Sequence, residues 1–335
     1  MMKYLPIGLA LAAISTSGAV AEDYPLTLEN CGHELTFENA PGSVVSIGQA
    51  TTEAMYLLGL ADKVSGTAVW FTDVLPEFAE ANAKIERLAD NTPSFEAVVN
   101  KRPGLVATQY EWYVGPKGSV GTREQFHDLN VPTYVWPADC VGKDNSVGVD
   151  GTRENLMSTD IIYRGLIELS QIFGVPEAGE AAAAELEARE TAAIERAKSL
   201  NLEGTSAMFW FSSSELDADP YVAGAKGAPA YIMTQLGIEN VVSSSEEWPT
   251  VGWESLAKAN PTYIVLADLQ RRKFPADSIE AKMDFLETDP VASQMEAVKE
   301  GRILILDAHA MDATIRTVSG LELMADAMEK QAASQ

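Results

Sequence analysis

The sequence predicts an α/β protein: two Rossmann-like lobes with parallel sheets, bridged by one long helix, with a ligand cleft between them. Three observations predict it. Strand-like apolar runs alternate with helical periods across residues 43–136 and again across 206–330, the pattern of a parallel sheet covered on both faces. One long amphipathic segment, 159–173, stands between the two blocks. And one unit is written twice: SFEAVVNKRPGLVAT at 94–108 and GWESLAKANPTYIVL at 252–266 align Glu96 with Glu254 and Pro103 with Pro261. A matched unit in each half is the mark of internal duplication. The expected division is a signal peptide at 1–21, an N-terminal lobe at 22–157, the bridging helix at 158–175 and a C-terminal lobe at 176–335.

The leader comes first. Lys3, an apolar run from Leu5 to Ile14, and Ala19-Val20-Ala21 ahead of Glu22-Asp23 form the parts of a cleavable secretory signal. The run is too short to span a bilayer permanently, and no cysteine stands at the cleavage point to take a lipid. A mature chain beginning near Glu22, exported to the periplasm, is expected. Cys31 and Cys140 are the only cysteines. In an oxidising compartment their expected state is a disulfide, closing a loop of roughly 100 residues worth about 4–5 kcal/mol on the chain-entropy account. The alternative is two buried thiols.

Along the first block, residues 26–28 and 34–37 read as a short hairpin and SVVSI (43–47) as a buried strand. TTEAMYLL (51–58) reads as a helix stopped by Gly59. A strand at 64–68, a helix at 95–101, a strand at 105–108, a helix at 123–129 and a strand at 133–136 follow. The polar stretch 142–157 reads as loop. TDIIYRGLIELSQIF (159–173) is the amphipathic bridge, stopped by Gly174, and 177–199 is an Ala- and Glu-rich helix supported by the i,i+4 pair Glu185–Arg189. The second block reads as strand 206–211, helix 228–236 stopped by Gly237, strand 241–242, helix 254–258, strands 263–267 and 303–306, and a closing helix at 319–330. Leu58-Gly59-Leu60 matches Leu236-Gly237-Ile238 in order.

Composition excludes several classes. A formal charge of −25 and a pI near 4.4 make nucleic acid and anionic membranes poor partners. There is no G-x-S-x-G, P-loop, G-x-G-x-x-G or H-E-x-x-H motif. Three histidines, at 33, 127 and 309, are too few and too scattered for a His-rich zinc site. No catalysis, no resident cofactor and no metal bound directly by the protein are expected.

Aromatics gather instead at the expected strand ends and loops: Trp70-Phe71, Tyr110 with Trp112-Tyr113, Trp136, Phe211, Tyr221, Trp248 and Trp253. Such side chains line ligand pockets; capping of the lobe cores is the alternative. Arg271, Arg272 and Lys273 follow one expected strand and Arg316 another, where cations suit an anionic ligand; simple solvation is the alternative.

These features together resemble the substrate-binding proteins of ABC importers for ferric siderophores, haem and cobalamin. The resemblance rests on PGSVVSIGQATTEAMYLLGLADKVSGTA at 41–68, on the Glu–Pro unit in each half, and on SSEEWPTVGWESL at 244–256. It implies a monomer with two lobes on one rigid helix and modest closure on a small-molecule metal chelate. It implies that Glu96 and Glu254 contact arginines on the two copies of a permease dimer. It also implies cleft-lining places for Gln49, Trp70, Phe71, the stretch from Gln109 through Tyr110 to Trp112, Trp136, Tyr221, Trp248, Arg271, Arg272, His309 and the loop from Asp312 to Arg316. The expected cargo is a ferric siderophore such as a catecholate or carboxylate. Haem stays open, with Tyr110, Tyr113 and His309 as possible axial groups, and so does cobalamin. A secreted two-lobed enzyme and a sensory binding protein are the rivals from other classes.

Overall fold

Val44–Ile47 is apolar at three of its four positions and wholly buried, so it takes the middle of a sheet. The computed structural model describes residues 24–147, 151–200, 203–271 and 273–333; the expected leader and Arg272 lie outside the described residues. In the first lobe the strand order is Arg87–Ala89, Val64–Ala68, Val44–Ile47, Leu105–Thr108, Thr133–Val135, all parallel. In the second, Ser206–Ser212 pairs in parallel with Tyr263–Asp268, which pairs with Ile303–Asp307. Two short strands complete its other side: Glu239–Asn240 in parallel and Tyr221–Val222 antiparallel.

The duplication holds at the level of topology. Leu105–Thr108 and Tyr263–Asp268, the strands that close the two Glu–Pro units, each lie beside the first strand of their lobe's parallel sheet. The residues before the two prolines, Arg102 and Asn260, both adopt left-handed backbone with φ of 48°. That conformation costs a non-glycine residue energy, and each lobe uses it at the same turn from helix into strand.

The central strand of the first lobe ends at Gly48. Its φ is +130°, and a Cβ there would stand 2.2 Å from that of Gln109. Only glycine lets the two strand ends approach so closely. The gap between them is the topological switch point, where open α/β sheets bind ligands.

The bridging helix runs over Asp160–Ile172, with Ile162, Leu166, Leu169 and Ile172 buried. Gly165 admits the Trp136 ring of the first lobe; a Cβ there would meet it at 2.6 Å. At the other end Thr159 Oγ1 lies 3.1 Å from the Tyr231 hydroxyl of the second lobe. Helix Pro176–Ser199 packs beside it. The buried Glu190 carboxylate accepts hydrogen bonds from Thr159 (2.7 Å), Tyr163 (2.5 Å) and Tyr231, tying three helices at one point. Arg189 does not turn to Glu185 as expected but forms a bidentate pair with Glu322 (3.0 and 2.8 Å) on the closing helix Thr317–Ala333. One hydrophobic core runs from Val44 and Leu105 through Leu166 to Phe209 and Leu321.

Cys31 and Cys140 form the disulfide, Cα–Cα 5.5 Å. Beside it the Asn30 side chain donates to the carbonyl of Val135 (2.7 Å) and accepts from its N–H (2.8 Å), so the hairpin Leu26–Asn30/His33–Phe37 is stitched to the edge of the first sheet. Three readings need correction. The short strand expected at 241–242 lies at Glu239–Asn240, because pairing with Ser206 and Ala207 comes first and Val242 then drops into the core. Edge strand Arg87–Ala89 and helix Ile279–Thr288 were not anticipated; neither is a long apolar period. The loop 142–157 carries a small ladder, Lys143–Asp144 with Thr152–Arg153.

Helix Ile279–Thr288 brings in Lys282, which is wholly buried. Its amine donates to the carbonyls of Phe211 (2.6 Å) and Ala267 (2.8 Å), at the carboxyl ends of the two central strands of the second lobe. Burial pulls its pKa down to about 7, against the opposing pull of Asp277 and Asp268. From about pH 7 up to the ordinary lysine value the unfolded chain holds a proton that the folded chain has shed, so stability rises with pH in that window. Below it both states are protonated and the gain is absent. We expect the stability of the protein relative to its Lys282→Met variant to grow between pH 7 and 9, by up to about 1.4 kcal/mol per pH unit. Urea denaturation at the two pH values checks this; a difference that stays flat refutes it.

Candidate functional site

The carboxyl ends of both sheets face each other, and across them the lobes touch directly. Asp73 N–H donates to Gln270 Oε1 (2.8 Å) and Arg271 N–H to the Phe71 carbonyl (3.0 Å), with the Arg271 guanidinium 4.3 Å above the Phe71 ring. The Tyr110 hydroxyl donates to Asp312 Oδ2 (3.1 Å), and Trp136 Nε1–H to the Ala313 carbonyl (2.9 Å). A ligand of chelate size has to part these contacts. Two shallow hollows lie elsewhere, one of about 250 Å³ bordered by Val141, Leu156 and Ile161 where the bridging helix starts, the other of about 420 Å³ over the hairpin at Thr27, Glu29 and Glu34.

At the centre of the contact Arg316 enters the first lobe. It forms a bidentate pair with Glu53, 2.8 Å from Nε to Oε2 and closed by Nη2 on Oε1. Nη2 also donates to the Asp73 carbonyl (2.8 Å), and Nη1 to Asp307 (2.7 Å) and to the Thr72 hydroxyl (3.3 Å). Glu53 and Arg316 are both buried. Glu53 further accepts from Leu75 N–H (3.1 Å) and Gln49 Nε2 (3.2 Å). Gln49 returns its own oxygen to the N–H groups of Phe71 and Thr72, 3.2 Å each. The charge of Arg316 is therefore spent inside the protein, on two carboxylates and two neutral oxygens, and is not free for an anionic ligand.

A few ångströms on, His309 lies wholly buried in the loop after Ile303–Asp307. Phe71 packs over its imidazole at 5.7 Å and meets Tyr110 edge-on at 6.5 Å. Gln109 Nε2 donates to the Tyr110 hydroxyl (2.8 Å), while Gln109 Oε1 holds Ala50 N–H (3.0 Å) at the start of helix Gln49–Leu57. Burial, and after it the Asp312 carboxylate, push the Tyr110 pKa well above its ordinary value, so this phenol is protonated.

Of the sequence-predicted ligand residues, the structure brings Gln49, Phe71, Tyr110, His309 and Arg316 together at the contact, with Trp136 and Arg271 beside them. Trp70 turns away: its indole N–H meets the Thr67 hydroxyl (3.2 Å) and Arg87 of the edge strand covers its ring at 4.8 Å. Trp112 stands 55% exposed beside Lys117. Tyr221 and Trp248 lie in the second lobe, Trp248 against Phe211 at 4.7 Å. Glu53 and Asp307 were missed. A carboxylate inside TTEAMYLL was the available signal: every position from Gln49 to Tyr56 is buried, and a buried Glu in so apolar a helix requires a cation.

Glu96 is the second residue of helix Phe95–Val99, and Glu254 the second of Trp253–Ala259. Both are exposed. The first of these helices starts at the rim of the lobe contact, where Asn91, just upstream of Phe95, accepts from Arg271 of the other lobe (2.6 Å); ahead of the second, Val251 N–H bonds the Pro220 carbonyl of its own lobe (3.2 Å). Among the described residues neither carboxylate is engaged in a hydrogen bond or ion pair.

Two parallel-sheet lobes, joined through one helical bridge and meeting at their strand ends, define the class of two-lobed ligand-binding proteins. The chain belongs to the periplasmic binding protein family, whose profile matches residues 44–310. It is 21% identical over 309 residues to an uncharacterized ABC transporter substrate-binding lipoprotein of Bacillus subtilis (strain 168), covering 92% of this chain and 86% of that one. It is 25% identical over 233 residues to a vitamin B12-binding protein of Vibrio campbellii, covering 68% and 72%. Its fold matches the crystal structure of an ABC-type Fe3+-hydroxamate transport system from Saccharomonospora viridis with a TM-score of 0.71, 23% identity, and coverage of 91% and 99%.

Removing one partner of the central ion pair leaves the other charged and buried. Arg316→Ala is expected to destabilise the protein by about 3–5 kcal/mol, and replacing both Arg316 and Glu53 by methionine to recover much of that. Urea denaturation of the two variants checks it; a double variant no more stable than the single one contradicts it.

Proposed function

We propose that this protein captures a metal chelate between its lobes in the periplasm and delivers it to the permease dimer of an ABC importer, a ferric siderophore ahead of haem or a corrinoid. The observation that carries delivery is the pair Glu96 and Glu254: exposed, unengaged among the described residues, and at the same position of equivalent helices on the two lobes. Duplicated lobes offer duplicated contacts, which suits a partner with two-fold symmetry. A single such Glu would read as a favourable anion in a first helical turn; the matched pair, in a family of binding proteins, supports docking.

Two observations support the cargo. Phe71, Tyr110, Phe211 and Trp248 put aromatic faces near the lobe contact or in the second lobe beyond it, and relatives of this chain include a vitamin B12-binding protein and a component of an Fe3+-hydroxamate system. The enclosed charge of Arg316 weighs against the polyanionic catecholate or carboxylate first expected and favours a chelate of low net charge, such as a ferric hydroxamate. The protein performs no chemistry on it.

Tryptophan fluorescence and thermal-shift titrations with a ferric hydroxamate, a ferric catecholate, haem and cobalamin rank the cargo; no response to any of them refutes the capture reading. For docking, Glu96→Arg with Glu254→Arg is expected to leave cargo affinity within about twofold while uptake in cells falls to background. Normal uptake by the double variant sinks the docking reading.

A further inference from the structure

The lobes share more than their two glutamates. Phe95 stands immediately before Glu96, and Trp253 immediately before Glu254. Each ring is locked against a phenylalanine of the next α-helix beyond the following strand: Phe95 on Phe126 at 4.9 Å and 49°, Trp253 on Phe285 at 4.8 Å and 44°. Between strand and helix each lobe carries a loop with one 3-10 turn, Glu111–Tyr113 in the first and Pro275–Asp277 in the second. In each loop a lysine lies over an aromatic ring, Lys117 over Trp112 at 5.4 Å and Lys273 over Phe274 at 5.2 Å. Both loops are fixed. The Trp112 carbonyl accepts from Ser119 N–H (3.2 Å) and the Val114 carbonyl from Arg123 N–H (2.9 Å); Asp277 Oδ2 accepts from the N–H groups of Lys273 (2.6 Å) and Phe274 (2.8 Å). Each also shares a core with its glutamate helix, Tyr113 and Val114 with Val98, and Ala276 with Trp253 and Leu256.

Trp112 is 55% exposed and Phe274 half-buried. An indole held in water on a rigid loop adds nothing to the fold, and exposed apolar surface of this kind marks an interaction site. We propose that Trp112 and Phe274 are the apolar anchors of the permease-docking face, one on each lobe, each seated in a hollow of the permease copy that meets the neighbouring Glu96 or Glu254. Charge selects this occupant. At −25 a second copy of the chain or an anionic membrane is repelled, while a partner with a cation opposite each Glu is drawn in. Symmetry selects it as well: a ring under a lysine, on the block that carries the glutamate, recurs once per lobe, as a two-fold partner requires. A cargo held between the lobes gives no reason for the same arrangement to recur on both. The inference rests on the docking reading of Glu96 and Glu254 and adds the apolar half of that contact, in which the carboxylates orient the encounter and the rings set its lifetime.

The test puts the photo-crosslinker p-benzoylphenylalanine in place of Trp112, of Phe274, of Ser255 beside Glu254, or of Leu129, an exposed residue near the amino end of Thr133–Val135. The full chain is expressed in cells that carry the importer, and adducts are identified by mass spectrometry. Adducts with a permease subunit are expected from the probes at Trp112 and Phe274, and none from Leu129. With the probe at Ser255, Trp112→Ala combined with Phe274→Ala is expected to cut the permease adduct about tenfold. Phe274 is partly buried, so Trp112→Ala alone, which removes only an exposed ring, is the second variant and is expected to cut it about threefold. A permease adduct at Ser255 with none at Trp112 and Phe274, or one undiminished by either alanine variant, overturns the proposal and leaves docking through the glutamates standing. Adducts only with a second copy of this chain, or equal yield from Leu129, overturn it as well. No permease adduct from Ser255, Trp112 or Phe274 sinks the docking reading and this inference with it.

Discussion

Arg316 leaves the last loop of the second lobe and ends beside the first helix of the first, where Glu53 is held by Gln49 and by the N–H of Leu75. Two charges removed from water need each other and need every remaining hydrogen-bonding position filled. That requirement fixes more than one side chain. It sets how far apart the lobes stand, places Asp307 and Thr72 around the guanidinium, and thereby holds Phe71, Tyr110 and the loop with His309 at contact distance. The lobes are joined at a second place by the buried ion pair of Arg153 with Glu247; around Arg316 the other contacts are hydrogen bonds, ring packing and the Arg271 guanidinium over Phe71.

The lobes repeat each other in plan but not at their meeting surface. Strand order beside the switch point, the left-handed residue before each proline, and the helix that opens with Glu96 or Glu254 recur in both. The contact itself is built from unlike halves: a carboxylate and a phenol from one lobe, a guanidinium and an imidazole from the other. The duplication is kept in the outer helices and lost at the inner face where the lobes meet.

Much of the fold was legible in the sequence because its signals are local. Gly59, Gly174 and Gly237 punctuate apolar periods, and the Glu–Pro unit repeats in order. The disulfide was legible because the sequence holds only two cysteines. The site was legible in part. Phe71, Tyr110, His309 and Arg316 lie at strand ends, where ligand groups belong, but nothing local tells that Trp70 turns toward Arg87 or that Trp112 stays in solvent. What escaped were long-range pairings: Glu53 with Arg316 is separated by 263 residues, and Lys282 finds its carbonyls 71 and 15 residues away. A charged residue in an apolar helix announces that a partner exists; only the folded chain says which.

The enclosure of Arg316 also sets how cargo reaches the protein. The chain carries a formal charge of −25, and the guanidinium that stood to offset it at the mouth is neutralised from within. A polyanionic molecule diffusing in therefore meets repulsion beyond the first few ångströms, easing as added salt shortens the Debye length from about 10 Å. A neutral complex feels little of this, and its rate of encounter is nearly indifferent to ionic strength. Selection between cargoes of different charge thus begins in the solvent, during approach, before any aromatic ring is touched.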